Sequence, residues 1–116
     1  MEPAHRASRG DVWRVDLDPV VGHEQGRIRP AIVISVDLFN HGLSGSVVVV
    51  PLTSRDRGMP LHVAVAPPEG GLSRASVAMC DRARTISTQR LAHRLGAVAP
   101  MTIEAIEDRI RILLGL

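Results

Sequence analysis

Two runs of the chain, AIVISVD at 31–37 and SVVVVPLT at 46–53, consist mainly of β-branched residues with almost no polar residue in alternation. Such side chains favour extended backbone, and a strand without a wet face must be covered on both sides. The rest of the 116 residues therefore has to supply the covering layers.

Shorter strands and one helix are legible around these runs. In DVWRVDLD, 11–18, Trp13, Val15 and Leu17 alternate with Arg14, Asp16 and Asp18, the period of a strand with one dry face. Pro19 ends it, and PVVGHEQGRIRP follows as an exposed loop. FNHGLSG is a turn-rich connection, LHVAVA at 61–66 is a strand, and SVAMC at 76–80 is another that runs into DRARTIS. Ser87 or Thr88 caps a short helical turn, and RLGAVA at 94–99 returns as a last strand. After Pro100, Thr102 is the expected N-cap of an amphipathic helix of about three turns. Its stripe is Ile103, Ile106, Ile110, Leu113 and Leu114, with Glu104, Glu107, Asp108 and Arg111 facing away. The fold class expected is mainly β with α+β character: a small, strongly bent antiparallel sheet or barrel closed by a C-terminal helix, with residues 1–8 fraying and 9–116 forming one domain.

Charge narrows the function. All 14 basic residues are Arg, set against 12 acidic ones, for a formal net charge of +2. The pI of 9.9 follows from the absence of Lys and Tyr, which leaves little to titrate between the thiol and the guanidinium ranges. An excess of +2 rules out nucleic-acid binding by bulk charge. Trp13 and Phe39 are the only aromatics, which excludes a base-stacking platform. Any polyanion site must be local. The single Cys80 excludes an internal disulfide and a cysteine-based metal site, and no apolar run is long enough to cross a membrane, so a cytoplasmic location is expected.

Four places could carry chemistry. The loop GHEQGRIRP places His23, Glu24, Gln25, Arg27 and Arg29 close together, and Arg29 stands immediately before Pro30 and a buried strand. A guanidinium there suits a phosphate or the charge developing on one, whereas His23 is the side chain whose proton moves near pH 7. Thr53, at the end of the most apolar strand, is either a satisfied strand-end hydroxyl or a donor to a phosphate oxygen. Asp81 either pairs with Arg82 or Arg84 or sits in a cleft as an acid or base. Cys80 reads as a small core residue, and His5, His41, His62 and His93 lack the spacing of a metal site, so no metal or other cofactor is expected.

RGDVWRVDLDP, GHEQGRIRPAIVIS, VVVVPLTS and CDRARTI, in this order and spacing, resemble the MazF/PemK group of type II toxin endoribonucleases, especially its Kid branch. The resemblance implies an SH3-like barrel with a C-terminal helix, a homodimer, and metal-independent cleavage of single-stranded RNA to a 2′,3′-cyclic phosphate and a 5′-hydroxyl. It also implies a MazE/PemI-like antitoxin with an acidic segment, and binding of operator DNA only through the toxin–antitoxin complex. By the same resemblance Arg29 and Thr53 fall on catalytic positions, His23 and Asp81 on positions for proton transfer, and Glu24 and Gln25 on a base-contacting pair; Arg27 and Arg84 are local cations for RNA. Met79 stands where the Kid branch has a catalytic arginine, which favours Arg29 as the cationic catalyst. The alternative is a non-catalytic toxin of the same fold, such as a CcdB-like gyrase poison.

Overall fold

The structure, a computed structural model, describes residues 6–17 and 28–116. It contains strands β1 (Asp11–Asp16) and β2 (Ile28–Val33), a helical turn α1 (Asp37–Asn40), and strands β3 (Ser46–Thr53), β4 (His62–Val65), β5 (Ser76–Met79), β6 (Arg84–Ser87) and β7 (Leu91–Ala97). Helix α2 (Pro100–Leu114) follows β7. Every strand pair is antiparallel, in the order β4-β5-β3-β2-β1-β7 with β6 attached to β3.

The expected bent antiparallel sheet with a C-terminal helix is what forms, and among the described residues the sheet is not closed into a barrel. β3 pairs along one edge with β2, but its other edge is divided: β6 takes Ser46–Val49 and β5 takes Leu52–Thr53. The fork bends the sheet without bringing its outer strands β4 and β7 into register.

Both faces of the central strands are dry, as the two β-branched runs require. Val12, Ile32 and Val50 lie in register across β1, β2 and β3 and form one cluster with Leu52 and Ile106 of α2. Trp13, Val15, Ala31, Val33, Val47 and Val49 face the other way and join Ile86, Leu91 and Ala7. Ala7, within the stretch expected to fray, is 1% exposed. Helix α2 packs only on the first cluster; the second is completed by Ile86 of β6, Leu91 of β7 and Ala7. Burying each of these Val, Leu or Ile side chains contributes roughly 1.5–3 kcal/mol.

Several element bounds differ from expectation: β2 begins at Ile28, inside the expected loop, Arg84–Ser87 forms a strand of its own by pairing with β3, and the last strand runs Leu91–Ala97 rather than 94–99 because it pairs with β1. β2 stops at Val33 because Asn40 turns the chain into α1, its side-chain amide donating to the Ser35 carbonyl at 2.8 Å. The Arg9 backbone N–H donates to the Asp37 carboxylate at 2.7 Å and lowers the pKa of that carboxyl. Helix α2 starts at Pro100, which needs no partner for its nitrogen, with Ala99 as N-cap. Thr102 is therefore inside the helix, and its hydroxyl donates to Glu69, which also accepts from the Ala99 N–H at 2.9 Å. The carboxylate thus satisfies a free donor at the positive end of the helix. Ile106 is fully buried, but Leu113 and Leu114 are 45% and 62% exposed, so the expected stripe fails in its last turn. Glu107 does not face away; it forms an ion pair with Arg9, which also donates to the Ile34 carbonyl.

Candidate active site

The strand register places the main candidates. Val15 lies opposite Arg29, Ala31 opposite Pro51, and Thr53 opposite Val77. Carrying the β2–β3 register two residues further sets Arg29 across from Thr53, on one face because side chains alternate with period two. One row of the sheet therefore reads Val15, Arg29, Thr53, Val77.

Arg29 and Thr53 line the same cleft, of about 310 Å³. Its floor includes the apolar Pro30, Leu52, Leu72 and Leu95, while Arg14, Arg74, Ser54, Ser73 and Ser76 add polar groups. The Thr53 hydroxyl accepts from the Arg55 N–H at 3.2 Å, so it is a strand-end cap whose own proton stays available for donation. Gly71, also in the wall, has φ +70, and a Cβ there would stand 2.0 Å from the Leu95 carbonyl oxygen. Only glycine permits that approach of the 3₁₀ turn at Glu69–Gly71 to β7.

Other expected residues lie elsewhere. His23, Glu24, Gln25 and Arg27 fall outside the described residues. Asp81 lies beyond the end of β5, in a 3₁₀ turn at Cys80–Arg82, and Arg84 pairs with Val49, four residues before Thr53 on β3. Neither lines the cleft. Asp81 pairs with neither Arg82 nor Arg84: its carboxylate meets Nε2 of His62 at 3.4 Å, next to a His62 Nδ1 that is buried without a partner among the described residues. Cys80 is fully buried, and burial pushes its thiol from 9.0 to about 11; Arg109 opposes the shift and Asp81 adds to it. It is a core residue, not a nucleophile.

Sequence reasoning missed Arg14 and Arg74. Arg14 occupies the polar phase of an alternating strand, which reads as solvent-facing, and Arg74 lies in a loop that reads as a connection. Only the folded cleft reveals the first: Arg14 lies opposite Pro30, in the alternate phase to Arg29, yet both residues line its wall.

The fold and cleft define a class: a small antiparallel sheet braced by one C-terminal helix, with a cationic cleft at the ends of its central strands. Residues 8–114 match the family described as PemK-like, MazF-like toxin of type II toxin-antitoxin system, and the chain belongs to that family. It is 34% identical over 110 residues to endoribonuclease EndoA of Bacillus subtilis (strain 168), covering 93% of this chain and 94% of that protein. It is 36% identical over 107 residues to endoribonuclease toxin MazF of Escherichia coli (strain K12), covering 91% and 92%. Among solved structures, MazF from Deinococcus radiodurans matches with a TM-score of 0.81 at 28% identity over 95% of this chain and 97% of that one. A mycobacterial endoribonuclease in complex with its cognate antitoxin matches with a TM-score of 0.77 at 31% identity over 95% and 96%.

Proposed function

We propose that this chain is the toxin of a type II toxin–antitoxin pair and cleaves single-stranded RNA without a metal, the RNA 2′-hydroxyl attacking the adjacent phosphate to leave a 2′,3′-cyclic phosphate and a 5′-hydroxyl. The observation that carries the reading is the convergence of Arg29 and Thr53, from adjacent strands, in one cleft. Because the substrate brings its own nucleophile, the protein has to supply positive charge for the phosphorane and routes for two protons. Arg29 neutralises the phosphorane and Thr53 donates a hydrogen bond to a non-bridging oxygen. His23 is the favoured proton acceptor for the 2′-hydroxyl, since Asp81, just past β5, is held by His62 and does not line the cleft; the second proton is delivered to the departing 5′-oxygen, by the protonated His23 or through water. Glu24 and Gln25 read unstacked bases, and Arg27 and Arg84 add local positive charge along the RNA.

The partners proposed are a second copy of the chain and a cognate antitoxin with an acidic segment; operator DNA is engaged only through their complex, and the setting is the cytoplasm. Purified protein incubated with single-stranded RNA in EDTA should release 5′-hydroxyl ends at a short recurring sequence, and a DNA version of that sequence should stay intact. Arg29→Ala should slow cleavage at least ~100-fold, the scale of removing one charge-stabilising group. Wild-type cleavage by that variant would remove Arg29 from the chemistry. Intact RNA together with gyrase trapped on DNA would overturn the nuclease reading.

A further inference from the structure

We propose that Arg14 and Arg74 form phosphate-binding subsites on either side of the scissile position, so that the cleft grips the RNA backbone at three successive places; this rests on the nuclease reading above. Three arginines, Arg14, Arg29 and Arg74, line one cleft, and no acidic residue stands among the described residues of its wall, although the whole chain carries an excess of only +2. Elsewhere Arg9 pairs with Glu107, Arg94 with Asp11 and Arg109 with Asp108. Arg14, Arg29 and Arg74 have no such carboxylate partner among the described residues, a condition they share with most other described arginines; what sets them apart is that they line one cleft together. Like charges gathered without a counter-charge repel one another, and an anion entering the cleft relieves that repulsion.

The strand order indicates the shape of that anion. Across β5-β3-β2-β1 the residues lining the cleft are Arg74, two residues before β5, then Thr53 on β3, Arg29 on β2 and, from β1, Arg14, which lies opposite Pro30 and so enters the cleft wall in the alternate phase to Arg29. Three strand spacings span about 14 Å, too far for one phosphate but suited to an extended chain of them crossing the strands. The Ser76 hydroxyl donates to the Arg74 carbonyl at 3.0 Å and fixes the backbone that carries this guanidinium. Arginine suits the task because its planar fork matches phosphate oxygens and it never loses its charge.

Arg14→Gln, Arg74→Gln and the double variant test this in the full chain, alongside Arg→Lys at both positions. The binding probe is single-stranded DNA, which lacks the nucleophile, titrated at several salt concentrations. Each Gln substitution should lower the slope of log affinity against log salt by about 0.7, the value for one lost phosphate contact on a single strand. On RNA it should raise KM by a larger factor than it lowers kcat, and Lys should restore the slope. The wild type gives an independent test: uncharged methylphosphonates placed one at a time should weaken binding at a position on each side of the scissile bond, and the double Gln variant should be insensitive there. An unchanged slope, a loss confined to kcat, or no flanking position that matters overturns the subsites while RNA cleavage by the wild type leaves the nuclease reading intact. Loss of an acidic peptide's binding with nucleic-acid binding unchanged overturns them as well. If the wild type cuts no RNA, the nuclease reading itself fails.

Discussion

Cys80 illustrates how far one residue's environment decides its chemistry. Its thiol is fully buried and raised to about 11, so at pH 8 almost none of it is thiolate. Iodoacetamide should leave the native protein unlabelled at pH 8 and label it once the chain is unfolded; rapid native labelling, read by mass spectrometry, would contradict this burial. The sign for stability follows from the raised value. The unfolded thiol ionises near 9 and the folded one near 11, so the contribution is full below pH 9 and falls by up to about 1.4 kcal/mol per pH unit across that window. Arg29 and Thr53 are legible in the sequence for a different reason: each stands at the junction of a polar loop and an unbroken apolar strand, where the strand fixes its position. Asp81 is not legible in this way, because its sequence neighbours Arg82 and Arg84 are not its spatial partners; His62 reaches it from β4, opposite Met79.

Elements are readable wherever local pattern and tertiary demand agree. β3 occupies the bounds expected from SVVVVPLT, and the turn at Thr88–Arg90 is capped by Ser87, which accepts from the Gln89 N–H at 3.1 Å. What the sequence hides is long-range. The fork in β3 that keeps the sheet open depends on two partner strands distant in the chain, and the start of α2 depends on Glu69. The glycines sharpen the distinction between local and tertiary constraint. Gly58 has φ +66 with nothing within 4 Å of where a Cβ would stand, so Gly58→Ala carries only the left-handed backbone penalty of about 1–2 kcal/mol. Gly71 has almost the same φ, but a Cβ there would stand 2.0 Å from the Leu95 carbonyl oxygen, so Gly71→Ala must also push β7 off the 3₁₀ turn beside the cleft. Thermal denaturation should rank Gly71→Ala well below Gly58→Ala, and RNA cleavage should fall with it. Equal melting temperatures would mean that this contact does not hold the cleft wall.

For the whole molecule, the last turn of α2 bears on assembly. The body of the chain uses the helix only as far as Ile110: beyond it Ile112, Leu113, Leu114 and Leu116 are 65%, 45%, 62% and 85% exposed. The helix nevertheless continues to Leu114 and closes with Gly115 in the left-handed conformation, so these side chains are displayed on a finished helix end. Covering them costs little conformational entropy and removes apolar area from water, which favours a second copy as the simplest symmetric partner. Sedimentation equilibrium of the wild type should therefore give twice the 12.5 kDa chain mass at micromolar concentration. The double variant Leu113→Glu with Leu114→Glu should move the equilibrium towards monomer without lowering the melting temperature of the monomeric fold, because neither side chain belongs to its core. A wild type that stays monomeric at high micromolar concentration would remove the dimer, whereas a dimer unaffected by the double variant would move the interface to another surface.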